Sequence, residues 1–377
     1  MRTVPLGEVA TIERSGVDPS TLPPSTAYLG LEHIERGGRI IGRSSVAEAE
    51  LASTKFRFSA DHLLFGKLRP NLGKISRPDF EGVCSTDILP IRPGRDLDKD
   101  YLAHFLSQPS MVGFAASRTS GANLPRLSPT VLTTFPIPLP PLPEQRRIAA
   151  ILDHADALRA KRRQVLAHLD ALTQSIFHDL FGDLATNPRH LPLRKLGDLG
   201  RLDRGVSKHR PRNDSALLGG QTPLIQTGDV ARSDGYIRHY SSTYSELGLA
   251  QSKLWPAGTL CITIAANIAK TGILTFDACF PDSVVGFTSD HETVEYVRVW
   301  LSFLQATLEA SAPQSAQKNI NLAVLRGLDV PAPDRGLLAE FSSRIGKVRE
   351  LAEIQHRTAS ADDELFASLQ SRAFRGE

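Results

Sequence analysis

The chain has 377 residues, of which 23% are charged and 41% hydrophobic, with 44 Lys and Arg against 41 Asp and Glu. At roughly 150 residues per domain, this length predicts two or three domains that each bury their own core. The composition excludes a disordered tail and a collagen-like fibre. Because no apolar run of about 18 residues occurs and the start lacks an apolar signal core, we expect neither a membrane protein nor a secreted one.

The cysteines and the net charge indicate the cellular compartment and the kind of partner. The chain has three cysteines, Cys84, Cys261 and Cys279, which lie too far apart in sequence for a disulfide framework or a close-spaced metal cluster. A reducing cytoplasm is therefore the expected location. The net charge of +3 allows a nucleic-acid partner without demanding one.

The chain repeats itself once. Leu6-Gly7-Glu8 returns as Leu196-Gly197-Asp198, and residues 64–74 align with 260–270, which pairs Asn71 with Asn267 and Lys74 with Lys270. Further matches follow in the same order, all at offsets between 190 and 196. Coincidence explains such order poorly, so we interpret the chain as a tandem duplication.

The two globular parts, residues 1–138 and 188–331, have a mixed pattern. Apolar runs at 258–264 and 273–276, bounded by Gly, Pro and Asp, predict strands. Residues 101–107 and 294–308 have the apolar spacing of helices. Because strands and helices do not alternate regularly, we expect an α+β fold in each part.

A long helix is predicted after each globular part. Residues 136–143 are proline-rich and extended, and from Glu144 no Gly or Pro occurs before Gly182. An apolar stripe with steps of three or four residues, which includes Leu158, runs along this segment, except for one gap spanning Arg162, and a similar stripe covers 341–373. We expect the two helices, 139–185 and 334–377, to pair as an antiparallel coiled coil that separates the globular parts by about 60 Å. The alternative is that each helix packs only on its own globular part.

These segments also carry a family resemblance. Residues 138–152, PLPPLPEQRRIAAIL, resemble the opening of the central conserved helix of specificity subunits of type I restriction–modification systems. Residues 369–377 look like the C-terminal conserved region of the same family. The resemblance implies two target recognition domains, 1–138 and 188–331, related by a pseudo-two-fold axis and held by the coiled-coil spacers 139–185 and 334–377. One departure is that residues 331–338 lack the Glu-Gln pair.

The resemblance implies a non-catalytic DNA-binding subunit. Each recognition domain would read one half of a bipartite double-stranded target, while the helices dock two methyltransferase subunits and restriction subunits complete the nuclease. Adenine N6 would be methylated. S-adenosylmethionine, ATP and Mg²⁺ are expected on those partners and none on this chain, in a bacterial or archaeal cytoplasm.

The motifs agree with binding rather than chemistry. The chain has no Asn-Pro-Pro-Tyr or Asp-Pro-Pro-Tyr. Six residues separate Gly66 from Gly73 where a phosphate-binding loop needs four. We therefore predict no catalytic and no metal-ligating residue. Two alternatives stay open: a free-standing nuclease or methyltransferase with atypical motifs, and an interaction protein whose helices bridge partners with DNA incidental.

Residues 1–140 carry 16 basic and 14 acidic side chains, and residues 188–333 carry 15 and 13. Because the excess of basic side chains in each part is small, candidate DNA contacts must come from local clusters. Basic and amide side chains are those that contact phosphates and base edges. The first globular part offers seven candidates, namely Lys67, Arg69, Asn71, Lys74, Arg118, Asn123 and Arg126. The second offers eight, namely Lys208, Arg210, Arg212, Asn267, Lys270, Gln317, Lys318 and Asn319.

Candidate subunit contacts lie on the two helices. The motif that resembles the family's central helix, together with the start of the C-terminal stripe, predicts an interface formed by Glu144, Gln145, Arg146, Ile148, Ile151, Leu152, Phe341 and Ile345. The helix face opposite the stripe includes Arg159 and Arg162. That face is either solvated or in contact with a partner or with the DNA backbone.

Overall fold

A computed structural model describes residues 2–121, 123–183, 186–209, 211–265, 269–311 and 320–375, with side chains from 306 to 311 not described. The chain divides into two compact units. The first comprises Met1–Gln164 and His356–Glu377, and the second comprises Val165–Gln355. Each unit therefore contains one globular part and a stretch of both long helices.

The first unit is built on short strands and helices. Its strands are β1 (Thr3–Pro5), β2 (Ala10–Ile12), β3 (Gly16–Val17), β4 (Ala27–Leu29), β5 (Ser44–Ser45), β6 (Lys55–Phe58), β7 (Leu63–Gly66), β8 (Ile75–Ser76), β9 (Gly82–Cys84), β10 (Ile88–Pro93), β11 (Thr119–Ser120), β12 (Arg126–Leu127) and β13 (Pro136–Pro138). Its helices are α1 (Leu6–Val9), α2 (Lys99–Leu106), α3 (Pro109–Ala116), α4 (Pro129–Thr133) and the start of α5 (Leu142–Phe181). Single 3₁₀ turns occur at Pro19–Thr21, Leu31–His33 and Pro70–Leu72.

The second unit continues the same plan. Its strands are β14 (Leu193–Lys195), β15 (Arg201–Arg204), β16 (Leu218–Leu224), β17 (Gly235–Ile237), β18 (Ser242–Tyr244), β19 (Leu254–Trp255), β20 (Leu260–Thr263), β21 (Thr271–Leu274), β22 (Ala278–Cys279), β23 (Val284–Thr288) and β24 (Asp329–Pro331). Its helices are α6 (Leu196–Leu199), α7 (Thr227–Ala231), α8 (Glu246–Ala250), α9 (His291–Ser311), α10 (Leu322–Arg326) and α11 (Arg335–Arg375), which ends in the first unit.

Sheet topology confirms the tandem repeat and the α+β class. One sheet has the order β2-β10-β7-β8 in the first unit and β15-β23-β20-β21 in the second, where β17 adds an edge strand. The other sheet contains β6-β9-β4-β5 and, correspondingly, β19-β22-β16-β18. Its one parallel pairing aligns Leu29 with Cys84 and Leu224 with Cys279. Both residues of the second pair follow those of the first at an offset of 195, so the register is repeated along with the strand order.

A buried tyrosine ties each globular part to the segment before its long helix. Tyr101 on α2 donates its hydroxyl to the Pro138 carbonyl at 2.9 Å. Tyr296 on α9 donates to the Pro331 carbonyl at 2.5 Å. The same contact at both aligned positions fixes the direction in which the chain enters α5 and α11.

The first long helix lies within the predicted bounds 139–185 and starts before the Gly- and Pro-free stretch. It begins at Leu142 rather than Glu144, so Pro143 lies in its first turn. Proline is tolerated there because the first N–H groups of a helix have no intrahelical acceptor. Gly182, with a φ of +78°, ends the helix because it adopts the left-handed conformation easily.

The long helices pair antiparallel, as predicted. In the first unit Arg159 of α5 binds Asp363 of α11, whereas Arg162, further along α5, binds Asp362. In the second unit Phe177 and Phe181 of α5 pack on Phe341 of α11. Each long helix also contributes to the cores of both units, since α5 supplies Ile148 to the first and Phe177 to the second, and α11 supplies Phe374 and Phe341. The alternative that each helix packs only on its own globular part is therefore wrong.

The ring of Phe341 is fully buried in the second unit, with centroids 5.6 Å from Phe177 and 5.3 Å from Phe181. We expect Phe341→Ala to lower the free energy of unfolding by about 3–5 kcal/mol, because it removes a large side chain and leaves a cavity. Leu351→Ala, on an exposed position of the same helix, should change it by about 0.5 kcal/mol or less. Urea denaturation measures both, and equal effects would contradict this packing.

Candidate nucleic-acid interface

Two of the predicted clusters in the first unit are brought together. The loop after β7 makes a 3₁₀ turn between Arg69, at φ +49°, and Gly73, at φ +59°. The Arg69 N–H donates to the Pro125 carbonyl at 2.8 Å, and the Leu127 N–H donates to the Lys67 carbonyl at 2.9 Å. These bonds join loop 67–74 to loop 118–127. The left-handed backbone at Arg69, which is unfavourable for a side chain with a Cβ, is thus held by its neighbours.

Four of the seven predicted residues in this surface are exposed, namely Arg69, Asn71, Arg118 and Asn123. The guanidinium of Arg118 stacks on the Phe114 ring at 3.4 Å, which holds it at the surface. Exposed cationic and amide groups on adjoining loops are the chemistry that phosphates and base edges require.

The other three predicted residues are held within the chain. Arg126 donates to both carboxylate oxygens of Asp87, at 2.9 and 3.2 Å, and Lys67 lies 3.9 Å from the same carboxylate. Lys74 donates its ammonium to the Leu31 carbonyl at 2.7 Å. Asp87 thus offsets two of the positive charges, and Lys74 has a structural contact that ties its loop to residue 31.

Three of the eight predicted residues in the second unit lie in the described part of the chain. Lys208 and Arg212 are exposed, and Arg212 donates to Asp282. Lys270 donates its ammonium to Gln305 at 3.2 Å. Ala269 has a φ of +56°, close to the +59° of its aligned Gly73, so the positive φ at this position is repeated in the second unit. Five predicted residues lie outside the described part of the chain, namely Arg210, Asn267, Gln317, Lys318 and Asn319.

Residues 34–41 form a hairpin that the sequence analysis did not select. Its residues Ile34 and Ile40 pair across it, and the Gly37 N–H at its tip donates to the Leu72 carbonyl at 3.1 Å. This bond places the hairpin beside loop 67–74. The exposed Arg36 and Arg39 add two cations to the surface. The available signal was a Gly-Gly pair between two arginines, which indicates a tight turn carrying charge.

The predicted subunit interface is corrected at five positions. Gln145, Ile148, Leu152, Phe341 and Ile345 are buried within their own units. The reason is that the apolar stripe of each helix is needed for the core of its own unit. Their side chains therefore offer no surface to a partner.

Gln145 has a defined structural role. Its amide donates to the carbonyls of Asp96 at 2.9 Å and Pro140 at 2.8 Å, and its oxygen accepts from the Asp98 N–H at 2.8 Å. This one side chain links the start of α5 to the loop before α2. Of the Glu-Gln pair in the motif, Gln145 is therefore structural, whereas Glu144 lies at the surface.

The remaining helix candidates lie at the surface, where Glu144 is half-buried and Arg146 and Ile151 are exposed. Glu144 is bound by Arg147, and Arg146 has 68% of its side chain exposed. Ile151 and Leu158, seven residues apart on α5, are 41% and 45% exposed, and Leu365 of α11 is 55% exposed in the same unit. Glu144, Arg146 and Ile151 accordingly stay predictions for partner contact.

Arg159 and Arg162 do not lie on the opposite, solvated face. Their side chains are only 23% and 28% exposed, and they bind Asp363 at 2.6 Å and Asp362 at 3.3 Å. Arg159 also stacks on Phe366 at 4.4 Å. The gap in the predicted stripe is thus filled by ion pairs between the helices, while Leu158, which the stripe placed in the seam, is exposed.

Polar networks lock each globular part to a long helix. In the first unit Asp153 of α5 accepts from Arg77 at 2.6 Å and contacts His104 of α2 at 2.9 Å. Although burial raises it, these two hydrogen bonds bring the pKa of Asp153 below its ordinary value. Burial lowers the pKa of His104, an effect that exceeds the opposing influence of Asp153.

In the second unit, the charges at the contact between the globular part and a long helix are reversed relative to the first unit. Glu295, the counterpart of Asp100 at an offset of 195, is buried and accepts from Tyr236 at 2.7 Å and from Arg349 of α11 at 3.3 Å. Here the long helix contributes the cation and the globular part the anion. The two helices are therefore not interchangeable at these junctions.

Within the described ranges, no cluster of three or more His, Cys, Asp or Glu side chains is placed to hold a metal ion. The three cysteines are buried and unpaired, and burial raises the pKa of Cys84 to about 12. None of the helices that the structure describes is both long and apolar enough to cross a bilayer.

Fold and surface together define a duplicated scaffold with loop surfaces on its globular parts and paired long helices. The family model for the type I restriction modification DNA specificity domain matches residues 1–168 and 191–336. The chain belongs to this family.

Individual relatives agree. The chain is 30% identical over 195 residues to the type I restriction enzyme EcoDI specificity subunit of Escherichia coli, a match that spans 50% of this chain and 43% of that protein. It is 25% identical over 319 residues to the EcoKI specificity subunit of Escherichia coli K12, covering 76% and 67%. The crystal structure of a type I restriction–modification S subunit from M. genitalium covers 99% of this chain and 96% of its own, with a TM-score of 0.61. At 12% identity, this likeness shows the fold.

The buried His104, which contacts Asp153 of α5, predicts that the folded chain is less stable in acid. Because burial lowers the pKa of His104 below 6.5 in the folded chain, the unfolded chain binds this proton at a higher pH. The free energy of unfolding should therefore fall as pH drops below about 6.5, and His104→Gln should flatten this slope between pH 7.5 and 5.5. Urea unfolding at both pH values tests it. His168→Gln, exposed on α5, is the matched control, and equal slopes in wild type and His104→Gln would refute the assignment.

Proposed function

We propose that the chain is the sequence-reading subunit of a type I restriction–modification complex. Each globular part reads one half of a bipartite double-stranded DNA target, and the chain has no catalytic activity of its own. The observation that carries the proposal is the repeated fold. Both units have the same strand order, and the aligned residues Gly73 and Ala269 share a positive φ, which supports two similar reading surfaces on one chain.

The surface chemistry supports DNA as the ligand. Loops 67–74 and 118–127 present Arg69, Asn71 and Arg118 to solvent from backbone that is fixed by hydrogen bonds. Arginine suits phosphates and guanine edges, and asparagine suits adenine edges. A rigid surface keeps these groups in place before the DNA binds, which reduces the entropy lost on binding.

The long helices are proposed to dock two methyltransferase subunits, to which restriction subunits add. Ile151, Leu158 and Leu365 support this, because exposed apolar side chains on paired helices suit a further helix packed against them. S-adenosylmethionine, ATP and Mg²⁺ belong to those partners in this proposal. The product is N6-methyladenine, made in the cytoplasm of a bacterium or archaeon.

Exchange of one globular part tests the reading model. Replacing residues 188–331 with the corresponding part of another family member should change only one half of the methylated sequence, because the other unit keeps its own loops. Sequencing of methylated genomic DNA measures the outcome. A change in both halves contradicts the model. Methylation by the purified chain with S-adenosylmethionine alone would instead favour a free-standing enzyme.

Substitutions on α5 test the docking model. The double variant Ile151→Gln/Leu158→Gln should weaken co-purification with the methyltransferase at least about tenfold, because it removes apolar area that a partner would bury. Its thermal unfolding should stay close to that of wild type, since both side chains are exposed. Lys161→Gln, on an exposed position of the same helix, is the control. Undiminished assembly of the double variant would rule out this docking face.

A further inference from the structure

The hairpin of residues 34–41, called here the arginine hairpin, is rigidly attached to the first unit. Its turn closes through the Glu35 N–H to the Arg39 carbonyl at 2.9 Å. The Gly38 carbonyl accepts from the Ser76 hydroxyl at 2.6 Å. A Cβ at Gly38 would lie 2.0 Å from the Ile75 oxygen, and φ is +92° there, so only glycine fits this contact.

The hairpin carries more positive than negative charge. It contains Arg36, Arg39 and one acidic residue, Glu35, and Arg43 follows it. Arg36 is exposed and has no hydrogen-bond or ion-pair partner among the described residues. Arg39 is bound to Glu35 at 2.8 Å, with 70% of its own side chain exposed. Such an exposed pair is weak and yields readily to a stronger anion.

The hairpin lies beside the surface that already presents Arg69 and Asn71. The bond from the Gly37 N–H to the Leu72 carbonyl joins its tip to the 3₁₀ turn between those residues. A DNA duplex that contacts Asn71 would therefore pass close to Arg36. The two elements differ in chemistry, since the hairpin offers two arginines and no amide side chain, whereas the loop offers an amide suited to a base edge.

We propose that the arginine hairpin is a clamp for the DNA phosphate backbone, with Arg36 and Arg39 as its contacts, and that it positions the duplex for reading by loop 67–74. This inference rests on the proposed function. Base reading is disfavoured for Arg39 because Glu35 binds the Nε edge of its guanidinium, and a neutral guanine edge competes with that carboxylate less well than a charged phosphate does. Phosphate requires only a directed positive charge.

The test uses the complete complex of the chain with its methyltransferase. Binding of duplexes with and without the target sequence is measured by fluorescence anisotropy between about 50 and 200 mM salt. The slope of the logarithm of the binding constant against the logarithm of the salt concentration should become shallower by about one in Arg36→Ala and by about two in Arg36→Ala/Arg39→Ala. The reason is that DNA binding releases one counterion fewer for each phosphate contact that is lost. Both variants should weaken binding to the two duplexes by the same factor and leave the methylated sequence unchanged.

Three control variants show whether the change in slope is specific to the hairpin. Arg95→Ala, at an exposed arginine in the turn after β10, should keep the wild-type slope. The variant Arg36→Lys/Arg39→Lys should retain it too, which excludes misfolding as the cause. Asn71→Ala should relax one base position instead.

Three outcomes would count against the clamp. A wild-type slope in Arg36→Ala/Arg39→Ala would overturn it, and so would a changed methylated sequence, which would make the hairpin a base reader. If the wild-type complex shows no sequence preference, the proposed function itself fails, and the clamp with it.

Discussion

The pairing of α5 with α11 is the constraint on which the rest of the structure depends. Each unit is completed by a stretch of both helices, which are far apart in sequence, so neither globular part is a closed module of consecutive residues. In the first unit the seam contains the Arg159–Asp363 and Arg162–Asp362 ion pairs in place of apolar contacts. Polar pairs within a seam add little stability but favour one register, and here they fix the register of two antiparallel helices.

The junctions between helix and globular part then fix the reading surfaces. Gln145 and Tyr101 hold the start of α5, while Asp153 binds Arg77 and His104. The second unit achieves the same attachment with Glu295 and Arg349, whose charges are reversed. Duplication therefore conserved the architecture and allowed the junctions to diverge. A pseudo-symmetric scaffold built in this way holds two different globular parts in a similar manner without making them interchangeable.

The candidate surface was accessible to sequence reasoning only in part. Arg69 and Asn71 were found because they lie in a loop that returns in the second half of the chain, and both are exposed. Lys67 and Arg126 were selected by charge alone, although Asp87, distant from Arg126 in sequence, binds both. The arginine hairpin was missed because its partner, Leu72, is more than thirty residues away along the chain. Local composition does not reveal which loops meet.

The sequence by itself determined the duplication, the mixed class of each half and the two long helices, because repeats, apolar periodicity and the absence of helix breakers are local properties. Only the tertiary structure decided which apolar positions on α5 are buried. Leu158 matched the stripe and is exposed, whereas Gln145 is polar and fully buried. The physical reason is that burial depends on the partner surface. A buried amide is stable where three backbone groups satisfy it, and an apolar side chain stays exposed where no neighbour covers it.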